Sequence, residues 1–475
     1  MLFTSPIFLF FFLPAVLLLY YISPHRFKNL VLLFSSIIFY MWGESVLVLV
    51  MIATIIIDFF AARIIEGGNA KFGLSISVIS NLGMLGFFKY FNFGVENFEA
   101  LFGALGFNEK SLPVFPHIVL PLGISFYTFQ SLSYTIDVYR KEVKANRSLV
   151  EFAAFVTVFP QLVAGPIVRY HDVEAQFREK QISAANFSEG IRRFVVGLSK
   201  KMLIANPCAA IADSVFGTPI DQVSTMWSWV GIAAYSFQIF YDFSGYSDMA
   251  IGLGKMLGFT FLENFNYPYI SKSIREFWQR WHISLSTWFR DYLYIPLGGS
   301  RGTAAKTYRN LLIVFFVTGL WHGASWNFVV WGLFHGAFLI LERLWLSRFL
   351  SSAPIILSRI YALLVVVVGW VFFRSPTLES SIDFIGKMFS FSGGDPARSS
   401  YFNFYFFNLE YLIVAGLAVI CASPVGVRIV ERVSDFGIPN RYRSVAELLG
   451  LIALFFLSAS FIAADSYNPF IYFRF

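Results

Sequence analysis

The chain has 475 residues, of which 57% are hydrophobic and 14% charged; a soluble domain carries about 25% charged residues, so a water-soluble globule is excluded. The formal charge of +7 does not point to nucleic acid, because Lys and Arg fall mostly in short segments between apolar runs, as in cytoplasmic loops of membrane proteins. Cys208 and Cys421 have no CxxC partner, which implies neither a disulfide framework nor a thiolate metal site.

Crossing the hydrocarbon takes roughly 20 apolar residues as a helix, because an unpaired backbone group in lipid costs several kcal/mol. The first run, Pro6 to Ile22, has no basic residue before it and no small-residue cleavage pattern after it, so it is expected to stay as a first membrane segment, with His25, Arg26 and Lys28 on the cytoplasmic side. Further candidates follow at 29–42, 44–62, 72–92, 117–136, 151–167, 191–213, 226–258, 308–321, 326–346, 355–373, 409–426 and 444–464. The expectation is an all-α integral membrane protein of about eleven to thirteen segments, some short or re-entrant, forming one polytopic domain over 1–475. The run 226–258 is too long for one span and carries Asp242, Gly245, Asp248 and Lys255, which predicts a break.

Between Tyr267 and Tyr308 the pattern changes: six basic residues (Lys272, Arg275, Arg280, Arg290, Arg301, Lys306) stand against Glu276 and Asp291, interleaved with Trp278, Trp281 and Trp288. This reads as an amphipathic or re-entrant segment at the cytoplasmic face, or as a basic loop on lipid headgroups.

Of six histidines, His25, His117 and His171 sit at the edges of apolar runs and read as interfacial, with no role. His335, inside an apolar helix, reads as packing or a hydrogen bond to a neighbour. His322 ends the run Leu311 to Leu320, and an ionisable group there is a functional candidate or a structural histidine bonded to another helix. Burial would keep its imidazole neutral, the form that accepts a proton from a hydroxyl, and Gly319 and Gly323 would leave room for a substrate. His282, forty residues upstream and also preceded by Trp, makes a possible pair for acid/base work. Metal is disfavoured, since there is no HExxH and no carboxylate at helical spacing from either. Asp242 and Asp248 read as a polar network rather than a glycosidase pair. Neither a GxSxG elbow nor a GxxxxGK[ST] loop occurs, and no two matching halves suggest a transporter.

Several strings, taken together, resemble the membrane-bound O-acyltransferase family, near its bacterial polysaccharide and peptidoglycan O-acetyltransferases. They are Leu120-Pro121-Leu122-Gly123-Ile124-Ser125-Phe126-Tyr127, Gly165-Pro166, Asp242 to Asp248, Phe277 to Ser286, Arg290 to Gly299 and Leu320-Trp321-His322-Gly323, a core of about 120–340. The resemblance implies a ring of helices around a thin centre, with a funnel across the bilayer. His322 matches the family's catalytic histidine and His282 its second polar position, while Ser300 stands where relatives often have Asn. It further implies acyl transfer from cytoplasmic acetyl-coenzyme A, with no permanently bound cofactor and no metal. His322 would be the base, His282 would orient the acyl group or donate to the oxyanion, and Lys272, Arg280 and Arg290 would meet the coenzyme A phosphates. A periplasmic acetyltransferase partner and a polysaccharide acceptor in a bacterial inner-membrane setting complete the expectation. Alginate, another exopolysaccharide and peptidoglycan stay open, as does D-alanylation of teichoic acid from a carrier protein.

Overall fold

The computed structural model describes residues 1–107, 112–434, 439–464 and 468–469. Helices and their connections make up the described residues, with no strand among them. They form two compact units, one of Met1–Phe187, Gly254–Phe261 and Gly323–Ser325, the other of Ser188–Leu253, Leu262–His322 and Trp326–Phe475.

The first unit contains α1 (Leu13–Ile22), α2 (Lys28–Glu44), α3 (Val48–Glu66), α4 (Ala70–Ala104), α5 (Ile124–Tyr139), α6 (Leu149–Thr157), α7 (Phe159–Leu162) and α8 (Tyr170–Arg178). In lipid, close helix approach and shared polar groups hold helices together, since burying apolar surface gains little there. Asp58 of α3 does this: its Oδ2 accepts from Asn81 of α4 at 2.7 Å and from Ser131 of α5. Gly73 lets α4 touch α3, where a Cβ would stand 2.6 Å from the Ala61 carbonyl.

His171, expected to be idle at an interface, instead bridges two elements of this unit. Its Nδ1 lies 2.7 Å from Asp137 of α5 and its Nε2 3.3 Å from Asp172 of α8. The Asp137 bond, followed by that to Asp172, holds the imidazole up at about 9. Against the upward push of burial, bonds from His171 and Arg169 bring Asp172 down to about 2. A raised histidine stabilises fully below its unfolded value of 6.5 and loses that contribution as pH rises through 9. The deficit in melting temperature of His171→Asn is therefore expected to be larger at pH 6 than at pH 9.5, and an equal deficit at both would contradict the bridge.

The second unit contains most of α9 (Ala184–Ser199), α10 (Asn206–Phe216), α11 (Thr225–Met256), α12 (Ile274–Arg280), α13 (Ile283–Phe289), α14 (Ala304–His322), α15 (Trp326–Leu341), α16 (Ser347–Ser352), α17 (Ile355–Arg374), α18 (Leu378–Met388), α19 (Pro396–Phe406), α20 (Leu409–Cys421), α21 (Val425–Ser434) and α22 (Asn440–Ala463). The expected break in 226–258 is absent: α11 runs unbroken for 32 residues. The irregularity lies in its neighbour, where a π-helical segment, Lys200–Ala205, joins α9 to α10. Glycines bring α9 and α11 together, since a Cβ on Gly197 would meet the Gly245 carbonyl at 2.5 Å and one on Gly252 the Gly190 carbonyl at 2.6 Å. The polar groups of α11 face α9 and the π-helical segment: Lys201 reaches Asp242 at 2.9 Å, while Arg193 and Lys200 reach Asp248 at 2.7 and 2.6 Å. This is the polar network the sequence predicts, with each carboxylate compensated by its own cations.

Six helical stretches among the described residues are long and apolar enough to cross a membrane: His25–Glu66, Ala70–Ala104, Ala184–Phe216, Trp326–Ser352, Ile355–Arg374 and Arg441–Ala463. A seventh results if α19 and α20, bent by 76°, make one span. The other predicted runs form shorter or more polar helices: Pro6 to Ile22 gives Phe8–Ile22, and 151–167 is divided at Val158 into α6 and α7. Large apolar side chains such as Phe11, Ile79, Phe404, Leu409 and Phe456 stand exposed, as lipid-facing helices require.

Candidate functional site

The catalytic candidates lie in the second unit, and their placement starts with α14. At its N-terminal end, Asn310 donates from Nδ2 to the carbonyls of Leu297 (3.1 Å) and Gly299 (3.0 Å), bracing the turn after Pro296. Gly298 and Gly299 take φ of 102° and 57° there, values that glycine adopts without strain. At its other end, α14 crosses α15 so closely that a Cβ on Gly319 would stand 2.2 Å from the Phe328 carbonyl, and one on Gly332 2.2 Å from the Phe315 carbonyl.

Gly319 therefore serves helix contact, not room for a substrate as the sequence suggested. Gly319→Ala is expected to destabilise by about 1–3 kcal/mol through overpacking. Gly86→Ala is the control, because nothing lies within 4 Å of its added methyl. Thermal unfolding in detergent reads the difference, and equal melting temperatures would contradict the crossing.

The crossing seats His322 at the end of α14 in an aromatic wall. Its ring centroid lies 4.9 Å from Trp321, 4.9 Å from Trp331 and 5.2 Å from Phe373, and the residue is 3% exposed. Trp321 also meets His282, at 6.0 Å, so one indole adjoins both imidazoles.

His282 lies in the connection between α12 and α13, outside the candidate spans, and is fully buried. Its backbone is left-handed (φ 44°, ψ 55°), sparsely populated by residues other than glycine and a form of strain found at functional sites. Asn264 enforces it. The Asn264 carbonyl accepts from Ile283 N at 3.0 Å. Its side-chain Oδ1 accepts from Ser284 N (3.2 Å) and Ser284 Oγ (2.9 Å) and lies 3.1 Å from His282 Nδ1. Phe243 closes one side at 4.6 Å. Burial pushes the His282 imidazole down to about 3, so it is neutral at physiological pH.

Beside this pair opens a cavity of about 960 Å³, lined by Lys272, Arg275, Arg290 and Arg343, with Trp278, Leu285, Val314 and Phe315 as apolar wall. The same lining reaches Ile283, next to His282, and Thr318, one turn before His322. Lys272 and Arg290, predicted from the sequence, are thus brought together. Arg280 is not among the lining residues: it bonds Glu276 (2.9 Å) and the Asn266 carbonyl (3.0 Å).

Arg275 and Arg343 take its place in the cavity, and Arg343 was hidden at the tail of an apolar run. Arg343 bonds Ser300 Oγ at 3.3 Å, and Ser300 in turn bonds Tyr294 at 2.8 Å, so Ser300 ties two parts of the wall together. The acid in the lining, Glu342, is already engaged: it accepts from the amides of Ile274 (2.6 Å) and Arg275 (3.1 Å) and from Tyr361 (3.1 Å). Its charge steadies the first turn of α12 and leaves the cavity basic.

His335 is enclosed by Phe277, Trp278 and Trp331 at 6.4, 5.3 and 5.1 Å, which fits the packing role predicted for it. Among the described residues, one group could present metal ligands, Asp137, Glu142 and His171 of the first unit, with ligand atoms within 4.8 Å of one another. Its imidazole is already bonded to Asp137.

Two imidazoles sharing a tryptophan, beside a basic cavity with an apolar wall, can move a proton during acyl transfer. Comparison with known proteins agrees. The model of the membrane-bound O-acyltransferase family matches residues 138–377. A protein named probable alginate O-acetylase from Azotobacter vinelandii is 42% identical over the full length of both chains. A peptidoglycan O-acetyltransferase of Helicobacter pylori is 35% identical over 83% of this chain and 80% of its own. A teichoic acid D-alanyltransferase of Bacillus subtilis is 30% identical over 47% of this chain and 59% of its own. With a full-length relative at this identity and a matched core that holds both imidazoles, this multi-pass membrane protein belongs to the membrane-bound O-acyltransferase family and is an O-acyltransferase.

Proposed function

We propose that the chain transfers an acetyl group from acetyl-coenzyme A, entering from the cytoplasmic side of a bacterial inner membrane, toward O-acetylation of an extracytoplasmic polysaccharide. A periplasmic acetyltransferase is proposed as the partner that completes the modification. The observation that carries this reading is the basic cavity, whose lining runs from Lys272, Arg275 and Arg343 to the neighbours of His282 and His322. Phosphates suit the charged end and an acyl chain the apolar wall.

In the reaction, a hydroxyl oxygen attacks the thioester carbon, the carbon–sulfur bond breaks, and the hydroxyl proton passes through an imidazole to the departing thiolate. One imidazole of the pair takes the proton, and the other stabilises charge on the carbonyl oxygen. The full-length alginate O-acetylase relative favours an acetyl group and a uronate polymer as acceptor.

Mass spectrometry of surface polysaccharide from cells with the chain, without it, and with His322→Ala tests the proposal. The expected result is O-acetyl groups in the first sample alone. Unchanged acetylation in all three would refute it, and loss of D-alanine esters instead would move the reading to a carrier-protein donor.

A further inference from the structure

Resting on that reading, we infer that Glu342 is a positioning residue for the donor, whose carboxylate fixes where the cations of α12 stand relative to Arg343 and so sets the affinity for a polyphosphate carrier. An acid in the wall of a basic cavity weakens phosphate binding unless its charge is directed elsewhere. Glu342 is 4% exposed, and both of its oxygens are engaged. Oε1 accepts from the Ile274 amide at 2.6 Å and from the Tyr361 hydroxyl of α17 at 3.1 Å, and Oε2 accepts from the Arg275 amide at 3.1 Å.

A helix leaves its first N–H groups without intrahelical partners, and α12 meets this need from two sources. Its own residues supply part: Glu276 N donates to Ser273 Oγ at 3.0 Å, and Lys272 N donates to Glu276 Oε2 at 2.9 Å. Ile274 and Arg275 instead donate to Glu342, 68 and 67 residues further along the chain. The negative charge of Glu342 is thus directed at backbone N–H groups at the positive end of a helix.

The same contact links the cations of the cavity. Lys272 and Arg275 lie on either side of Ile274 in the chain, Arg343 is the residue after Glu342, and all three line the cavity. Glu342 also opens a π-helical segment, Glu342–Leu346, and a fourth lining cation, Arg290, opens another, Arg290–Tyr294. Such turns are rare and recur at functional sites. Without the carboxylate, α12 and the segment bearing Arg343 lose the bonds that hold their charges at one spacing. A carrier with several phosphates, gripped from two elements, binds tightly only while that spacing is kept.

The test is steady-state kinetics of the full chain in lipid, with acetyl-coenzyme A as the varied donor. Glu342→Gln keeps the size of the side chain and one acceptor oxygen, but its Nε2 can only donate, so one amide of α12 loses its acceptor. Donor KM should rise roughly tenfold, with kcat within about twofold of wild type. In a Lys272→Gln/Arg275→Gln background, where the cations it positions are gone, Glu342→Gln should add no more than about twofold to KM. A purely structural role would lower kcat or the amount of folded protein, and would do so equally in both backgrounds. Should Glu342→Gln not fold, Tyr361→Phe keeps both amide bonds and removes the third; it should raise donor KM roughly two- to fourfold, in the wild-type background alone. A wild-type donor KM in Glu342→Gln, or a rise of the same size in both backgrounds, would overturn the inference. Absence of transfer from acetyl-coenzyme A by wild type, or a wild-type donor KM in Lys272→Gln/Arg275→Gln, would instead strike the reading it rests on.

Discussion

Replacing His322 with alanine is expected to lower acetyl transfer by roughly 10²–10⁴-fold while leaving the amount of folded protein in the membrane unchanged. The ring touches Trp321, Trp331 and Phe373, and its loss leaves an aromatic lining that packs but has no imidazole nitrogen for the proposed proton transfer. Donor KM should change little, because the charged end of the cavity is untouched, so the loss falls on kcat. His282→Ala should act in the same direction, and the double variant should lose little more than either alone, since groups that act as a unit are not additive. His25→Ala, at an exposed position, should transfer at the wild-type rate. Radiolabelled acetyl transfer in isolated membranes, normalised to protein detected, reads all four. Activity of His322→Ala near that of His25→Ala would remove the assignment.

The second large effect is expected at the basic cavity. Lys272→Glu or Arg343→Glu replaces an attraction for phosphate with a repulsion. Each lost charge-assisted contact is worth about 1.5–3 kcal/mol, which corresponds to roughly ten- to a hundredfold in donor KM. The deficit should shrink as ionic strength rises, because the cavity is open to solvent and its charges are screened. Arg280→Glu should raise donor KM far less, since Arg280 is bonded to Glu276 and the Asn266 carbonyl instead of lining the cavity. Steady-state kinetics with acetyl-coenzyme A separates the three, and a larger effect at Arg280 than at Arg343 would place the donor elsewhere.

The contrast between Arg280 and Arg343 shows what the sequence carried and what it did not. Hydropathy identified the membrane class and the α14 and α15 segments, because a lipid-facing helix must be apolar along its whole length. His322 stood out for the same reason, as an ionisable group where such groups are rare, and His282 as a second histidine preceded by tryptophan. Charge density marked Lys272 to Arg290 as one basic stretch but could not say which side chains face the same space. Glu276 claims Arg280, while Arg343 arrives from the end of a distant apolar helix.

Asn264 gave no signal either, for its contact with the left-handed His282 joins residues 18 apart in the chain. Asp242 and Asp248 were read as breaking their helix. In the structure they are compensated by Lys201, Arg193 and Lys200 of the neighbouring elements, so α11 stays whole. Gly319 was read as space and is contact, a distinction that only the position of the Phe328 carbonyl settles.

The most direct measurement uses sealed proteoliposomes in which the protein is oriented one way. Radiolabelled acetyl-coenzyme A is added to the face bearing Lys272 and Arg343, and deacetylated alginate with a periplasmic extract is enclosed within. The account predicts labelled O-acetyl ester on the enclosed polymer with wild type and none with His322→Ala. Ester formed only when donor and polymer share one compartment, or formed equally by His322→Ala, would contradict it.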